Sequence, residues 1–219
     1  MDSLRLKFSK TGRAIYISHL DLMRTMQRAF LRAGLPLKYS EGFNPHALIA
    51  IALPLSVGAS SLCELLDFRL NGFMSISEIP FRLNKALPEG IQALEVYESE
   101  NKFKNIKWLD IEGFFEYDGR SPDNMLPCLM DFFARDSIVI QKKTKSGIAP
   151  SDIAPGIRSI AFDIGNACVN LKAVISAQEP TLNPDLLSSA LAQLAPELKP
   201  DFASFRRTQV YDSEMNVFR

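Results

Sequence analysis

Apolar and polar positions along the chain alternate between two rhythms, period two and period 3.6, and the order of those rhythms predicts the architecture. Residues 4–8 (Leu-Arg-Leu-Lys-Phe) alternate as a half-buried strand does, and Thr11-Gly12 marks a turn. Ser18 then opens a helix as N-cap. Asp21 suits the positive end of the helix dipole, and Gly34 with Pro36 ends the helix. At 100° per residue Leu22, Met26, Ala29, Phe30 and Ala33 share one face, while Arg24, Arg28 and Arg32 form a stripe on the other. A polar, turn-rich segment from Tyr39 to His46 follows. Ala47–Leu53 reads as a buried strand and Cys63–Leu70 as another. A second helix is expected from Ser77, with Pro80 in its first turn, to about Leu87, and Ile91–Tyr97 closes the unit. The order β-α-β-β-α-β predicts a ferredoxin-like unit.

Glu98–Lys107 is charged and reads as a linker, after which the pattern repeats. Strands are expected near Trp108–Tyr117 and Ser137–Lys143, a loop to Gly156, strands within Ser159–Ala177 and a last strand at Ala203–Tyr211. The helices of this copy are expected near Asn124–Arg135 and from Asn183; Pro127 sits awkwardly inside the first. The expectation is therefore an α+β protein of two tandem ferredoxin-like units with antiparallel sheets, residues 1–98 and 108–219.

Composition narrows the function classes. With 219 residues and 47% hydrophobic positions a substantial core can form, and a formal net charge of zero demands neither a nucleic acid nor a membrane as partner. Charge is uneven, however: residues 1–50 carry a net of +5 and residues 51–100 a net of −4. No basic segment precedes an apolar one at the start, and no apolar run approaches the length of a membrane span, so a cytoplasmic protein is expected. Cys63, Cys128 and Cys168 are odd in number, far apart and set in apolar stretches, and read as buried core residues. They supply neither the thiolate cluster of an iron–sulfur site nor the paired ligands of zinc. No phosphate-binding glycine loop or serine elbow is present either, so no cofactor and no metal are expected, and a binding role is favoured over an enzyme.

Two segments carry candidate chemistry. The first is Ser18, His19 and Asp21 with Arg24 and Arg28 beyond. A histidine at a helix start can meet an anion or act as an acid or base, but equally packs as a scaffold residue. The second is the loop with Tyr39, Gly42, Phe43, Asn44 and His46. Gly42 permits positive φ and Pro45 stiffens the chain, so an aromatic pair with Asn and His could stack on a planar ligand or a base, or could simply make a sound turn. The arginine stripe solubilises a helix or meets phosphates. Lys143 and Lys145 pose the same pair of readings. Glu64 and Asp67, three apart on a strand, face opposite ways and are not expected to act as a dyad.

Taken together, Phe8-Ser-Lys-Thr-Gly12, Ser18-His-Leu-Asp-Leu-Met-Arg24, Arg32-Ala-Gly-Leu-Pro36 and Tyr39-Ser-Glu-Gly-Phe-Asn-Pro-His46 resemble the radical-SAM-linked domain of unknown function of bacteria. Residues 4–70 carry the resemblance most densely; in the second half only Lys143-Thr-Lys-Ser-Gly147, Asp152-Ile153 and Arg206-Arg-Thr-Gln-Val-Tyr211 do. Ala47 stands where that pattern often has a second proline. The resemblance implies a stand-alone partner of a radical SAM protein, without a known activity or catalytic residue. It moves His19, Asp21, Arg24 and the Gly42–His46 loop from scaffold towards site. Two function classes follow: an accessory protein that recruits or orients an RNA substrate for that enzyme, and a metal-independent RNA-processing protein similar in outline to RAMP-type endonucleases, with His19 as the candidate acid–base. The latter is fold-level analogy.

Overall fold

The computed structural model describes residues 3–72, 74–144 and 147–219, with the side chain of Thr144 excepted. The chain is α+β and divides into two compact units, 1–105 with 218–219, and 106–217.

In the first unit the elements run β1 (Leu4–Lys10), α1 (His19–Arg32), β2 (Ile49–Ile51), β3 (Ser60–Phe68), α2 (Glu78–Asn84) and β4 (Ile91–Glu98). The strands lie in the order β4, β1, β3, β2, every neighbour antiparallel. One face of α1 supplies Leu22, Met26, Ala29 and Phe30 to a core with Leu4, Leu6, Phe8, Leu66 and Phe68, where the Phe30 and Phe68 rings meet at 4.8 Å. The 3.6 rhythm thus predicts four of the five residues of that face as buried; the fifth, Ala33, is half-buried and caps the helix.

The period-two reading of β1 needs correction. The strand is buried on both sides, with Arg5 and Lys10 as enclosed as Leu6 and Phe8. Arg5 and Lys10 can lie inside because both cations find oxygen acceptors. Arg5 forks onto Asp67 (Nε to Oδ1 2.6 Å, Nη2 to Oδ2 2.9 Å), donates to the Asn101 carbonyl at 2.7 Å, and lies between the Phe103 and Phe218 rings at 4.5 and 4.9 Å. The expected buried strand at 47–53 also shrinks, to three residues of which Ala50 is exposed, because the chain before it is used in a hairpin. The second helix ends at Asn84, three residues before the expected Leu87.

The second unit runs β5 (Trp108–Glu116), α3 (Pro122–Phe133), β6 (Val139–Thr144), β7 (Gly147–Asp152), β8 (Ile157–Ile164), β9 (Cys168–Ser176), α4 (Asp185–Leu194) and β10 (Phe202–Tyr211). Its sheet has the order β10, β5, β9, β8, again antiparallel throughout, and β6 with β7 form a separate ribbon. The segment expected as a loop after residue 143 therefore contains a strand. The Asp152 carboxylate holds the base of the ribbon, accepting from the Ile138 and Ala154 amides at 2.8 and 3.0 Å and from Ser137 Oγ at 2.8 Å, bonds that keep its pKa below the ordinary value.

Helix α3 starts earlier than expected, on Pro122 after Ser121, and passes through Pro127. The bond that proline removes would have gone to the carbonyl of Asp123, in an exposed first turn where water can replace it. Phe115, Phe133 and Phe205 are buried in the core, and half-buried Phe162 packs on the first two. Of the cysteines only Cys63 is buried. Cys128 is exposed on α3 and Cys168 is half-buried, so an apolar neighbourhood in sequence did not mean burial.

A candidate interface at the first helix and its following hairpin

The approach to α1 is built from below by a lysine. Lys10, at the end of β1 and nearly inaccessible, donates from Nζ to the carbonyls of Ile15 (3.1 Å) and Ile17 (3.3 Å). These bonds hold the 3-10 turn Gly12–Tyr16 and the residues that lead to Ser18. Burial lowers the Lys10 pKa, and the negative charge of Glu64 works in the opposite direction. Gly58 donates to the Ile15 carbonyl at 2.9 Å, which brings the exposed Val57 to the same corner as exposed Tyr16 and Leu20.

Ser18 is the N-cap: its Oγ accepts from the Asp21 amide at 3.1 Å and donates to the Asp21 carboxylate at 2.7 Å, a closed version of the serine cap. Arg24 reaches the other Asp21 oxygen at 3.3 Å. Ser18, Asp21 and Arg24 are thus brought together, and a carboxylate already occupies the anion position at this helix start. His19 is half-buried, and its ring forms no hydrogen bond among the described residues. Arg28 is exposed and forms no ion pair among them.

After α1 the chain turns at Gly34 and enters a hairpin. Lys38 and Leu48 are joined by a backbone bond of 2.8 Å, Tyr39 bridges Ala47, and the Ser40 amide donates to the His46 carbonyl at 2.9 Å. Ser40 Oγ accepts from the His46 amide at 3.1 Å and lies 2.9 Å from His46 Nδ1. This clasp closes a tip of five residues. Gly42 has φ +120° with open space where a Cβ would be, so the tip needs glycine for its backbone and not for clearance. Phe43 is fully exposed and Asn44 and His46 are exposed, while Tyr39 is about half exposed at 54%.

No hydrogen bond or ion pair joins the α1 residues to the hairpin tip among the described residues. Lys143 lies on β6 opposite Ile148, in the other unit, and Lys145 falls outside the described residues. Residue patterns did not reveal Ser40 or Lys10 as supports; a lysine closing an otherwise apolar strand just before a turn was the available signal for the latter. Among the described residues no group of three or more His, Cys, Asp or Glu could hold a metal ion, and no helix is long and apolar enough to cross a membrane.

Fold and site together define a class: an α+β protein of two antiparallel-sheet units, the first carrying an aromatic hairpin braced at its neck. The chain belongs to the family described as an uncharacterized protein conserved in bacteria, DUF2344, which matches residues 3–184. No curated protein matches it. Among solved structures, a chain of a Cbf5-Nop10-Gar1 complex aligns with a TM-score of 0.55 at 11% identity over 94% of this chain, a likeness of fold alone; this chain spans 48% of that one. An unknown protein from Galdieria sulphuraria aligns over 94% of this chain and 98% of its own at 9% identity, with a TM-score of 0.28 from which nothing about the fold follows.

Proposed function

We propose that this protein is an accessory binding module that docks on a radical SAM enzyme and presents an RNA substrate to it, with the 39–47 hairpin as its contact point. The observation that carries the binding role is Phe43, a fully exposed aromatic ring at the tip of a hairpin whose neck is fixed by the Ser40–His46 clasp. Placing a large apolar ring in water has no folding benefit, whereas a pre-formed loop lowers the ordering cost of an encounter. The exposed Tyr39, and the net of +5 over residues 1–50, favour a ligand with flat bases and phosphates. The radical SAM partner rests on the resemblance of residues 4–70. The strand orders β4, β1, β3, β2 and β10, β5, β9, β8, each with helices after its first and third main strands, support reading both units as ferredoxin-like.

The test is an affinity pull-down of tagged full-length protein from its native host, with and without ribonuclease. A radical SAM enzyme retained after ribonuclease supports the accessory role. Recovered RNA should bind with a log–log salt slope of about −3 and lose about tenfold in affinity in Phe43→Ala. Absence of both partners would remove the reading. Cleavage of structured RNA that disappears in His19→Ala would replace it with the RNA-processing alternative.

A further inference from the structure

We propose that the depression between the C-terminal ends of α1 and α2 is a binding site for a phosphate-bearing ligand. It has a volume of about 380 Å³ and is lined by Arg32, Arg82 and Lys85, with Ala33 and Ala86 as the small residues that leave it open. The two arginines reach across it in opposite directions. Arg32 comes from α1 and donates from Nη2 to the Ala86 carbonyl at 2.7 Å, beyond the end of α2. Arg82 comes from α2, and its Nη1 lies 4.0 Å from where a Cβ on Gly34 would sit, against the turn that ends α1. Lys85 is steadied by the Phe81 ring, 4.1 Å from its Nζ.

Helix ends attract cations because their carbonyls lack partners, but the Arg32 bond already serves that need at Ala86. Two further cations face the same space. Among the described residues the one ion pair these three form is Arg82 with Glu78, at 3.5 Å and exposed, which leaves the lining in excess of positive charge. Guanidinium forks held from two sides, with a lysine in the same lining, match the several oxygens of a phosphoryl group. The space accommodates such a group with part of what it is attached to. A depression of about 340 Å³ in the second unit has Arg135 and Arg158 but also Asp136 in its lining, and so lacks this single-sign character. The inference is independent of the hairpin and of the reading built on it.

Titration calorimetry of the full chain at low salt tests it, using inorganic pyrophosphate and, separately, a ten-nucleotide oligouridylate as probes. Saturable binding of pyrophosphate is expected, weakened about tenfold in Arg82→Ala and again in Lys85→Ala, since each charge-assisted bond is worth about that factor. Arg82→Lys should recover little of it, because a point charge does not replace a fork. Arg135→Ala, in the other unit, should bind as the wild type does. If oligouridylate displaces pyrophosphate, the phosphate is that of a nucleic-acid chain; if pyrophosphate alone binds, it belongs to a small ligand. Either outcome supports the site. No saturable binding of either probe, or binding undiminished in the Arg82→Ala/Lys85→Ala double variant, overturns it.

Discussion

Each unit contains an arginine that grips an aspartate beside an aromatic ring, but the two pairs live in different surroundings. In the first unit Arg5 is fully enclosed, sandwiched between Phe103 and Phe218, and forked onto an Asp67 whose side chain is 21% exposed. In the second, Arg120 stacks on Tyr117 at 4.6 Å and meets Asp201 at 2.8 Å, with side chains 29% and 45% exposed. Arg120 also donates to the Glu197 and Lys199 carbonyls at 2.8 Å, so it ties a loop down. The same chemical pair is a core element in one unit and a surface clip in the other. What separates them is how much charge would be stranded if the partner were lost.

Substitution should destabilise most at the buried pair. Arg5→Ala leaves Asp67 without its fork and opens the space between two rings, and should cost about 3–5 kcal/mol in urea unfolding. Arg120→Ala should cost much less. Replacing Arg5 and Asp67 together by Met and Leu should recover most of the loss, because no charge then remains unpaired. Equal losses for Arg5→Ala and Arg120→Ala would show that burial is not what distinguishes them.

Next in size is a pair of opposite pH responses, one from each unit. Burial pushes the Tyr117 hydroxyl, which donates to the Leu198 carbonyl at 2.9 Å, up to about 12 from 10.0. The folded state keeps that proton longer than the unfolded chain does, so its contribution is complete below pH 10 and is lost as pH rises towards 12. Two pKa units correspond to roughly 2–3 kcal/mol. Tyr117→Phe should abolish this part of the alkaline loss and remove one late-titrating tyrosine from the phenolate absorbance, leaving Tyr97, which burial also raises. Lys10 has the opposite sign. Its pKa is lowered by burial, so the unfolded chain binds the proton more strongly, and stability rises as pH climbs through the lowered value towards 10.5. The difference in stability between wild type and Lys10→Met should therefore shift in favour of the wild type as pH rises through that window.

These buried polar groups also mark where sequence reasoning stopped. The apolar face of α1 was legible because helical periodicity reports burial directly when the outward residues are polar and solvated. On β1 the same logic fails: alternation says which residues share a face, but not that Asp67, Asn101 and two rings would let a second face close over Arg5. The Cys128 exposure and the β7 strand were hidden for a related reason, since apolar composition does not say which way a helix turns, and Gly147–Asp152 pairs with β6 in a ribbon separate from the main sheet. At the candidate interface, residues 18–24 and 39–46 could be singled out by type. The Ser18–Asp21 closure follows from cap spacing; the Ser40–His46 clasp joins residues six apart across a turn whose shape no local rule specifies.

A smaller effect sharpens the reading of the α1 start. Ser18→Ala removes the acceptor for the Asp21 amide and should cost about 1 kcal/mol. Ser18→Asp should retain most of the cap in amide terms but place two carboxylates side by side. Its stability should consequently fall between wild type and Ser18→Ala, and improve as pH drops and one carboxylate is neutralised. A Ser18→Asp protein as stable as wild type at neutral pH would mean that Arg24 absorbs the added charge.

The smallest change in stability belongs to the hairpin, and it is the one that best separates scaffold from interface. Ser40 Oγ accepts from the His46 amide and contacts His46 Nδ1, yet both residues sit on an exposed loop whose backbone pairing through Lys38–Leu48 and Tyr39–Ala47 does not need that hydroxyl. Ser40→Ala should thus move the urea midpoint by less than the equivalent of about 0.5 kcal/mol. If the hairpin is a pre-organised contact, the same substitution should still weaken partner retention, because a loosened tip must be ordered on binding. Faster amide exchange at residues 41–46 in Ser40→Ala, with exchange in β1 and β3 unchanged, would show the loosening directly. Unchanged retention despite faster exchange would mean that the clasp only finishes a turn, and that Phe43 binds without needing its neck held.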